Sequence, residues 1–263
     1  MRAVIQFVLA VSLVATGVAG STADVDTTAV SLPLGSAIKS ILPTPGAIVG
    51  VAHPVVVTFN EPISNRAAAE RAIDVKSTTG MTGRFEWLDS KVVQWVPDRY
   101  WPAHSTIKLS VGSRSTEFNT GPAVVGIADI SEHTFTVTVD GVATGPAPHH
   151  LPHAGEQGVL LASMGRPEYP SPVDTYTVLS KDRDVIMDSS SVGIPITDPD
   201  GYLLTVDYAV RISSRGLYVH SAPWAVNAMG FENVSHGCIS LSPATAEWYF
   251  NTVDVGDPVI VQE

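Results

Sequence analysis

The sequence predicts a mainly β chain in two parts, an immunoglobulin-like β-sandwich followed by a mixed β-sheet domain with few helices. Three observations carry this. Short runs of β-branched and aromatic residues recur along the chain, separated by turn residues. Gly (21) and Pro (19) are frequent among 263 residues, which leaves little room for long helices. Hydrophobic residues make up 44% and charged residues 16%, enough to fill cores and too apolar for a disordered chain. The net charge of −11 excludes a general nucleic-acid or other polyanion-binding role, because no basic patch is available to displace counterions.

In chain order, Met1-Arg2 precedes an apolar run to Ala19 and then small residues at Gly20, Ser21 and Ala23. Residues 1–23 therefore read as an export signal, either cleaved or retained as a membrane anchor. Residues 24–45 are polar and Pro-containing and read as a linker. The immunoglobulin-like domain is expected over 46–121, with strands at Val55–Phe59, Gly83–Trp87, 92–96 and Thr106–Val111. Trp87, Trp95 and Trp101 are its expected core and edge. The second domain covers 122–263. Its strand at Thr134–Val139 runs into Asp140-Gly141, a hairpin turn signal. Further strands are expected at 175–179, 185–187, 203–210, 216–220 and 259–261. One helix is expected where Ser242 can cap, Pro243 fits the first helical position and residues 244–250 continue.

The chemistry centres on Cys238, the single cysteine. No intramolecular disulfide can form. In an exported chain a lone thiol is either reactive or a buried small hydrophobe. Acyl transfer by a thiol needs a proton acceptor and donors for the developing oxyanion. Gly237 lets the backbone turn tightly, so that the amides of Gly237 and Cys238 can face one spot. His236 lies two residues before Cys238, on the same face of an extended segment. His220 ends a strand that can return beside it. Spacing does not choose between the two histidines as base.

The segment His220-Ser221-Ala222-Pro223-Trp224, followed by Asn233-Val234-Ser235-His236-Gly237-Cys238, resembles the active-site signature of the L,D-transpeptidases with a YkuD-like catalytic domain. That signature is a His, an interval matched here by residues 221–234, then Ser/Thr-His-Gly-Cys. The resemblance continues through Gly165-Arg166-Pro167, Met187-Asp188-Ser189-Ser190, Gly201-Tyr202 and Gly256-Asp257-Pro258-Val259. The preceding β-sandwich resembles actinobacterial members, which carry immunoglobulin-like domains on exported chains.

The resemblance implies a cysteine-dependent acyltransferase located outside the cytoplasm, at the cell wall. Cys238 would attack a donor tetrapeptide stem of peptidoglycan and expel D-Ala. The diamino-acid amine of an acceptor stem would resolve the thioester, giving a 3→3 cross-link. His220 matches the base, with the main chain at Ser221 orienting its other nitrogen. The amides of Gly237 and Cys238, with the backbone near Tyr202, would form the oxyanion hole. His236, Ser235, Ser240, Met187, Tyr202 and Trp224 would face substrate. Carbapenem β-lactams are the implied inhibitors, and no cofactor is implied. Two alternatives are a carboxypeptidase or endopeptidase on the same stems, and a catalytically weak wall-binding protein. Two positions depart from the family pattern. Ser240 replaces an Asn, and Ser171-Pro172-Val173-Asp174 replaces Thr-Pro-X-Gly. The histidines of 149–153 lie among Pro148, Pro152 and Gly155, which reads as an irregular loop and not as a metal site.

Overall fold

A computed structural model describes residues 37–263 apart from 78, 79, 112, 113 and 150. The expected export signal at 1–23 lies outside the described residues. The N-terminal domain contains β1 (Ile38–Leu42), β2 (Ile48–Val49), β3 (Val55–Phe59), α1 (Arg66–Ala72), β4 (Ile73–Ser77), β5 (Gly83–Trp87), β6 (Val92–Pro97), β7 (Thr106–Val111) and β8 (Arg114–Thr120). They form two four-stranded sheets, β1-β3-β6-β5 and β2-β8-β7-β4. Alternation along the strands turns Val55, Val57, Phe59, Val93 and Trp95 of one sheet toward Ile107, Leu109 and Phe118 of the other. Trp101 fills the space between, stacked 5.4 Å from Trp95 and edge-on to Phe118 at 5.9 Å. Trp87 is stacked on Phe59 at 6.1 Å.

Strands β2, β4 and β8 complete the two sheets beyond the four strands named from sequence, and two further elements were not expected. Strand β1 occupies part of the segment 24–45 that reads as linker; Ile38, Ile41 and Leu42 supply its apolar face before Pro43. Helix α1 follows from Asn65, whose side chain accepts the Ala68 amide at 3.0 Å, and from an alanine-rich run.

The C-terminal domain contains β9 (Val124–Asp129), β10 (Thr134–Val139), β11 (Val142–Ala143), β12 (Val159–Ser163), β13 (Asp174–Thr177), β14 (Ser180–Asp182), β15 (Val185–Asp188), β16 (Leu203–Val206), β17 (Ala209–Arg211), β18 (Tyr218–Ser221), β19 (Ile239–Leu241), α2 (Pro243–Thr252) and β20 (Pro258–Gln262). The main sheet runs β13-β20-β9-β10-β12-β19-β18-β17-β14, with β11 beside β10. It is mixed: β18–β19 and β20–β9 are parallel, whereas β9–β10 and β10–β12 are antiparallel. The β10–β11 turn has Asp140 at φ 50° and Gly141 at φ 79°, the positive pair that a tight hairpin needs. β15 and β16 pair only with each other and form an arm outside the sheet. Helix α2 starts as expected: the Ser242 hydroxyl accepts the Thr245 amide at 3.3 Å and Pro243 follows it. Its Tyr249 meets Phe135 of β10 edge-on at 4.8 Å, in the core under the sheet.

The two domains are sewn together by main chain. Gly50 and Ala52 amides donate to the carbonyls of Val255 and Gly256 at 2.9 and 2.8 Å. The Val51 amide donates to Asp257 Oδ1 at 3.3 Å, and the Asp254 amide to its Oδ2 at 2.8 Å. The fit is close enough that a Cβ on Gly50 would lie 2.1 Å from the Asp257 nitrogen. Across the same junction, His104 Nε2 lies 2.9 Å from Asp140 Oδ2.

Candidate active site

The parallel pair β18–β19 positions the chemistry. Val219 lies opposite Ile239, His220 opposite Ser240 and Ser221 opposite Leu241. Side chains alternate along a strand. Val219, Ile239 and Leu241 point into the core, so His220, Ser240 and Cys238 share the other face. Cys238 lies immediately before β19, diagonal to His220 across the β18–β19 pair.

His220 is buried, and its Nδ1 lies 2.8 Å from the Ser221 carbonyl oxygen. A carbonyl only accepts, so Nδ1 carries the proton and Nε2 keeps its lone pair. Burial lowers the pKa of His220, so the ring is neutral near pH 7. Burial pushes the Cys238 thiol up to about 11, against a smaller opposing effect of the Tyr218 backbone. The thiol donates to the Gly216 carbonyl at 3.7 Å. The resting pair is a neutral thiol and a neutral imidazole.

His236 is engaged elsewhere. Its Nε2 lies 3.2 Å from the Arg166 guanidinium, which can only donate, and it hydrogen-bonds the Asp200 backbone. Its ring sits 4.9 Å from both Tyr169 and Tyr202. Arg166 also pairs with Asp200, and the Tyr169 hydroxyl donates to that carboxylate at 3.3 Å. This cluster ties the loop before β16 to the body of the domain. The choice that spacing left open is narrowed by hydrogen bonding: both ring nitrogens of His236 are occupied, and Nε2 of His220 is not held by Ser221.

Five groups expected at the site have the following surroundings. The Ser235 hydroxyl accepts the Gly237 amide at 3.0 Å and donates to the Cys238 carbonyl at 2.7 Å, bracing the turn before the thiol. The Gly237 amide is therefore already used, and the oxyanion donor left at this turn is the Cys238 amide. The Tyr202 backbone is also used, since its amide donates to the Ser189 hydroxyl at 3.0 Å and its carbonyl accepts the Ser189 amide at 3.0 Å. What Tyr202 offers the site is its ring and hydroxyl, whose pKa is raised first by burial and then by a charge on Cys238. Ser240 is buried opposite His220 and lines neither crevice described next. Trp224 is exposed beside His220, with ring centroids 6.1 Å apart, and lines neither crevice described next.

Two crevices meet near the thiol. One, of about 340 Å³, is lined by Cys238, Gly237, His236, Tyr202 and the β12–β13 connection. The other, of about 220 Å³, lies against the β15–β16 arm and includes Met187. Tyr202, Val192, Arg215 and Gly216 belong to both and form the ridge between them. Sequence reasoning assigned no role to Arg166, Asp200, Arg215 or Gly216. Arg166 stood in the matched Gly165-Arg166-Pro167 segment, which was its only signal. Among the described residues, no group of three or more His, Cys, Asp or Glu is placed to hold a metal. His153 instead lies 3.1 Å from Glu156.

Gly237 has φ +114°, a conformation that side chains rarely adopt. A Cβ there would meet only the Pro170 and Tyr169 carbonyl oxygens, at 3.7 and 3.8 Å. Space is available, so the cost of Gly237→Ala is backbone strain. We expect a folded protein destabilised by about 1–3 kcal/mol, with slowed modification of Cys238. Denaturant melts and thiol-labelling rates check this.

Fold and site together define a bacterial-type immunoglobulin-like domain joined to a mixed-sheet domain that presents a thiol and an imidazole on one face. The family model described as bacterial Ig domain matches residues 9–116, and that described as L,D-transpeptidase catalytic domain matches residues 123–261. The Mycobacterium tuberculosis protein named "Probable L,D-transpeptidase 3" is 67% identical over 271 residues, covering all of both chains. L,D-transpeptidase 1 of the same organism is 49% identical over 224 residues, 85% of this chain and 84% of that one. The crystal structure of L,D-transpeptidase 3 from Mycobacterium tuberculosis with a faropenem-derived adduct superimposes with a TM-score of 0.82 at 72% identity, covering 87% and 99% of the two chains. The chain belongs to the L,D-transpeptidase family.

Proposed function

We propose that this protein cross-links peptidoglycan stems outside the cytoplasmic membrane, through a thioester on Cys238. The observation that carries this reading is the tautomer of His220: its Nδ1 is fixed on the Ser221 carbonyl, which leaves Nε2 as a base on the face that bears the thiol. In the first step Cys238 Sγ bonds to the carbonyl carbon of the third residue of a donor tetrapeptide. The thiol proton passes to His220 Nε2 and then to the departing D-Ala amine as the C–N bond breaks. The oxyanion is met by the Cys238 amide and the Tyr202 hydroxyl. In the second step an acceptor amine bonds to the same carbon, the S–C bond breaks, and His220 carries the amine proton back to sulfur. Export by residues 1–23 places the enzyme beside this substrate.

The faropenem-derived adduct on L,D-transpeptidase 3 supports the same covalent chemistry here, with β-lactams of the carbapenem and penem type acylating Cys238. The test is incubation of a purified disaccharide-tetrapeptide with the protein. Cross-linked dimer, lighter by one D-Ala than two monomers, is the expected product. Tripeptide alone, with water as the acceptor, would instead make the protein a carboxypeptidase, and an unchanged substrate would make it a wall-binding protein.

A further inference from the structure

The arm that carries Met187 is tied at its root to the catalytic histidine. β14 pairs with β17 and β15 pairs with β16, so the four strands form one antiparallel ribbon along the sheet edge. The ribbon bends where the ladder stops for two residues on each side, Arg183-Asp184 opposite Asp207-Tyr208. Asp184 and Tyr208 have φ 59° and 51°. A tyrosine in this left-handed conformation persists only where its surroundings over-determine it. Here they do. Arg183 Nε and Nη2 both donate to the Asp207 carboxylate, the latter at 3.0 Å, and the guanidinium carbon lies 4.0 Å from the Tyr208 ring centroid. Asp207 Oδ1 also accepts the Tyr208 amide at 2.9 Å, and the Tyr208 hydroxyl donates to Glu247 of α2. An exposed ion pair adds little to stability, so holding the fold is a poor account of a bend fastened this many times. What the bend delivers is one carbonyl. The Asp207 carbonyl accepts the Ser221 amide at 3.1 Å, while the Ala222 amide donates to the Leu241 carbonyl at 2.9 Å. The Ser221 carbonyl is thus held between two fixed amides, and it is the acceptor that keeps the proton on His220 Nδ1.

Resting on the reading of His220 as the base, we propose that Asp207 and Arg183 are positioning residues: their clamp at the root of the arm fixes the Ser221 peptide and, through it, the tautomer and orientation of His220. Neither side chain lines the crevices beside the thiol. Their influence passes from the ion pair to the Asp207 carbonyl, from there to the Ser221 amide, and from the Ser221 carbonyl to the imidazole. Without the clamp the bend relaxes from its left-handed conformation and the Ser221 carbonyl turns away from Nδ1. The proton is then free to sit on either ring nitrogen. A ring that carries it on Nε2 points a donor at the thiol and cannot take the thiol proton.

Two measurements on the full chain test this. Isotope labelling of the histidine nitrogens gives the two ring signals of His220 by magnetic resonance, identified by their absence from His220→Ala. Near neutral pH, wild type is expected to show one protonated and one bare nitrogen. In Asp207→Ala and Arg183→Gln the two signals are expected to move toward each other as the tautomers interconvert, and Arg183→Lys is expected to recover part of the separation. The second measurement is acylation of Cys238 by faropenem in single turnover, followed by intact mass. Its limiting rate is expected to fall roughly tenfold in Asp207→Ala, with the concentration dependence kept. Should Asp207→Ala not fold, Asp207→Asn keeps an acceptor for the Tyr208 amide, weakens the hold on Arg183, and is expected to move both readouts the same way by less. Nitrogen signals that keep the wild-type separation in the Asp207 and Arg183 variants would overturn the proposal whatever the rate, since a merely structural role lowers activity without changing the tautomer. Shifted signals with an unchanged limiting rate would also overturn it. A His220→Ala protein acylated at the wild-type rate would instead overturn the reading of His220 as the base, while the nitrogen signals still reported whether the clamp sets the tautomer.

Discussion

His220→Ala is expected to slow acylation of Cys238 by about 10³–10⁴-fold at pH 7, and Cys238→Ala to abolish it. The size follows from the resting state of the pair. A thiol whose pKa is pushed up to about 11 is ionised to only about one part in 10⁴ at pH 7. Without a base that fraction alone reacts; with Nε2 of His220 taking the proton as sulfur attacks, the whole population does. The pH profile separates these cases. Wild type should be nearly flat above pH 6.5, because burial holds His220 neutral there, and should lose rate below the lowered pKa as the ring protonates. The His220→Ala protein should gain about tenfold in rate per pH unit between 7 and 10, as the bare thiol ionises. His236→Ala should cost about tenfold or less, in substrate affinity. Its ring nitrogens serve Arg166 and the Asp200 main chain, and its tilted ring contacts set where Tyr169 and Tyr202 stand. A His236→Ala protein with the losses assigned to His220→Ala, while His220→Ala kept the wild-type rate, would reverse the assignment of the base.

How far the sequence could be read depended on whether a feature is local. Strand alternation and tryptophan placement located the sandwich core, because period-2 burial is written in consecutive residues. Helix α2 was legible from Ser242-Pro243 for the same reason. Strand β9 was not, because Gly126 interrupts its apolar run. That glycine is required by the next strand, since a Cβ there would lie 2.5 Å from the Phe135 ring. The nucleophile and its two candidate bases were visible as residue types, but the choice between them lay in hydrogen bonds to Ser221, Arg166 and Asp200 that spacing does not encode. The same applies to the oxyanion donors. Gly237 and Tyr202 look available in a linear motif, and only the fold brings the Ser235 and Ser189 hydroxyls to their amides. The crevice charges Asp174 and Arg215 come from β13 and the β17–β18 turn. They line one crevice only because the sheet curls around the thiol.

The second large effect is expected at the domain junction, in stability and not in rate. Asp257 is buried where β20 begins and receives amides from both domains, Val51 and Asp254. Burial pushes its pKa up to about 7 from 3.8, more strongly than those two amides pull it down. The folded state then holds a proton that the unfolded chain has released. Its contribution is complete below pH 3.8 and is lost as pH rises to 7, a span worth about 4 kcal/mol. Asparagine imitates the protonated acid and does not titrate. Asp257→Asn should therefore gain about 4 kcal/mol relative to wild type between pH 4 and pH 8, whatever its absolute stability at either end. His53, on the other side of the junction, works in the opposite sense. Burial lowers its pKa to about 4 from 6.5, so its contribution is complete above 6.5 and is lost as pH falls to 4. His53→Gln should gain on wild type toward acid pH, by about 3 kcal/mol. Denaturant unfolding of the three proteins across this range gives the differences directly. Parallel curves for all three would mean that neither group changes its protonation on folding, and that the main-chain bonds from Gly50 and Ala52 hold the domains together without any titrating partner.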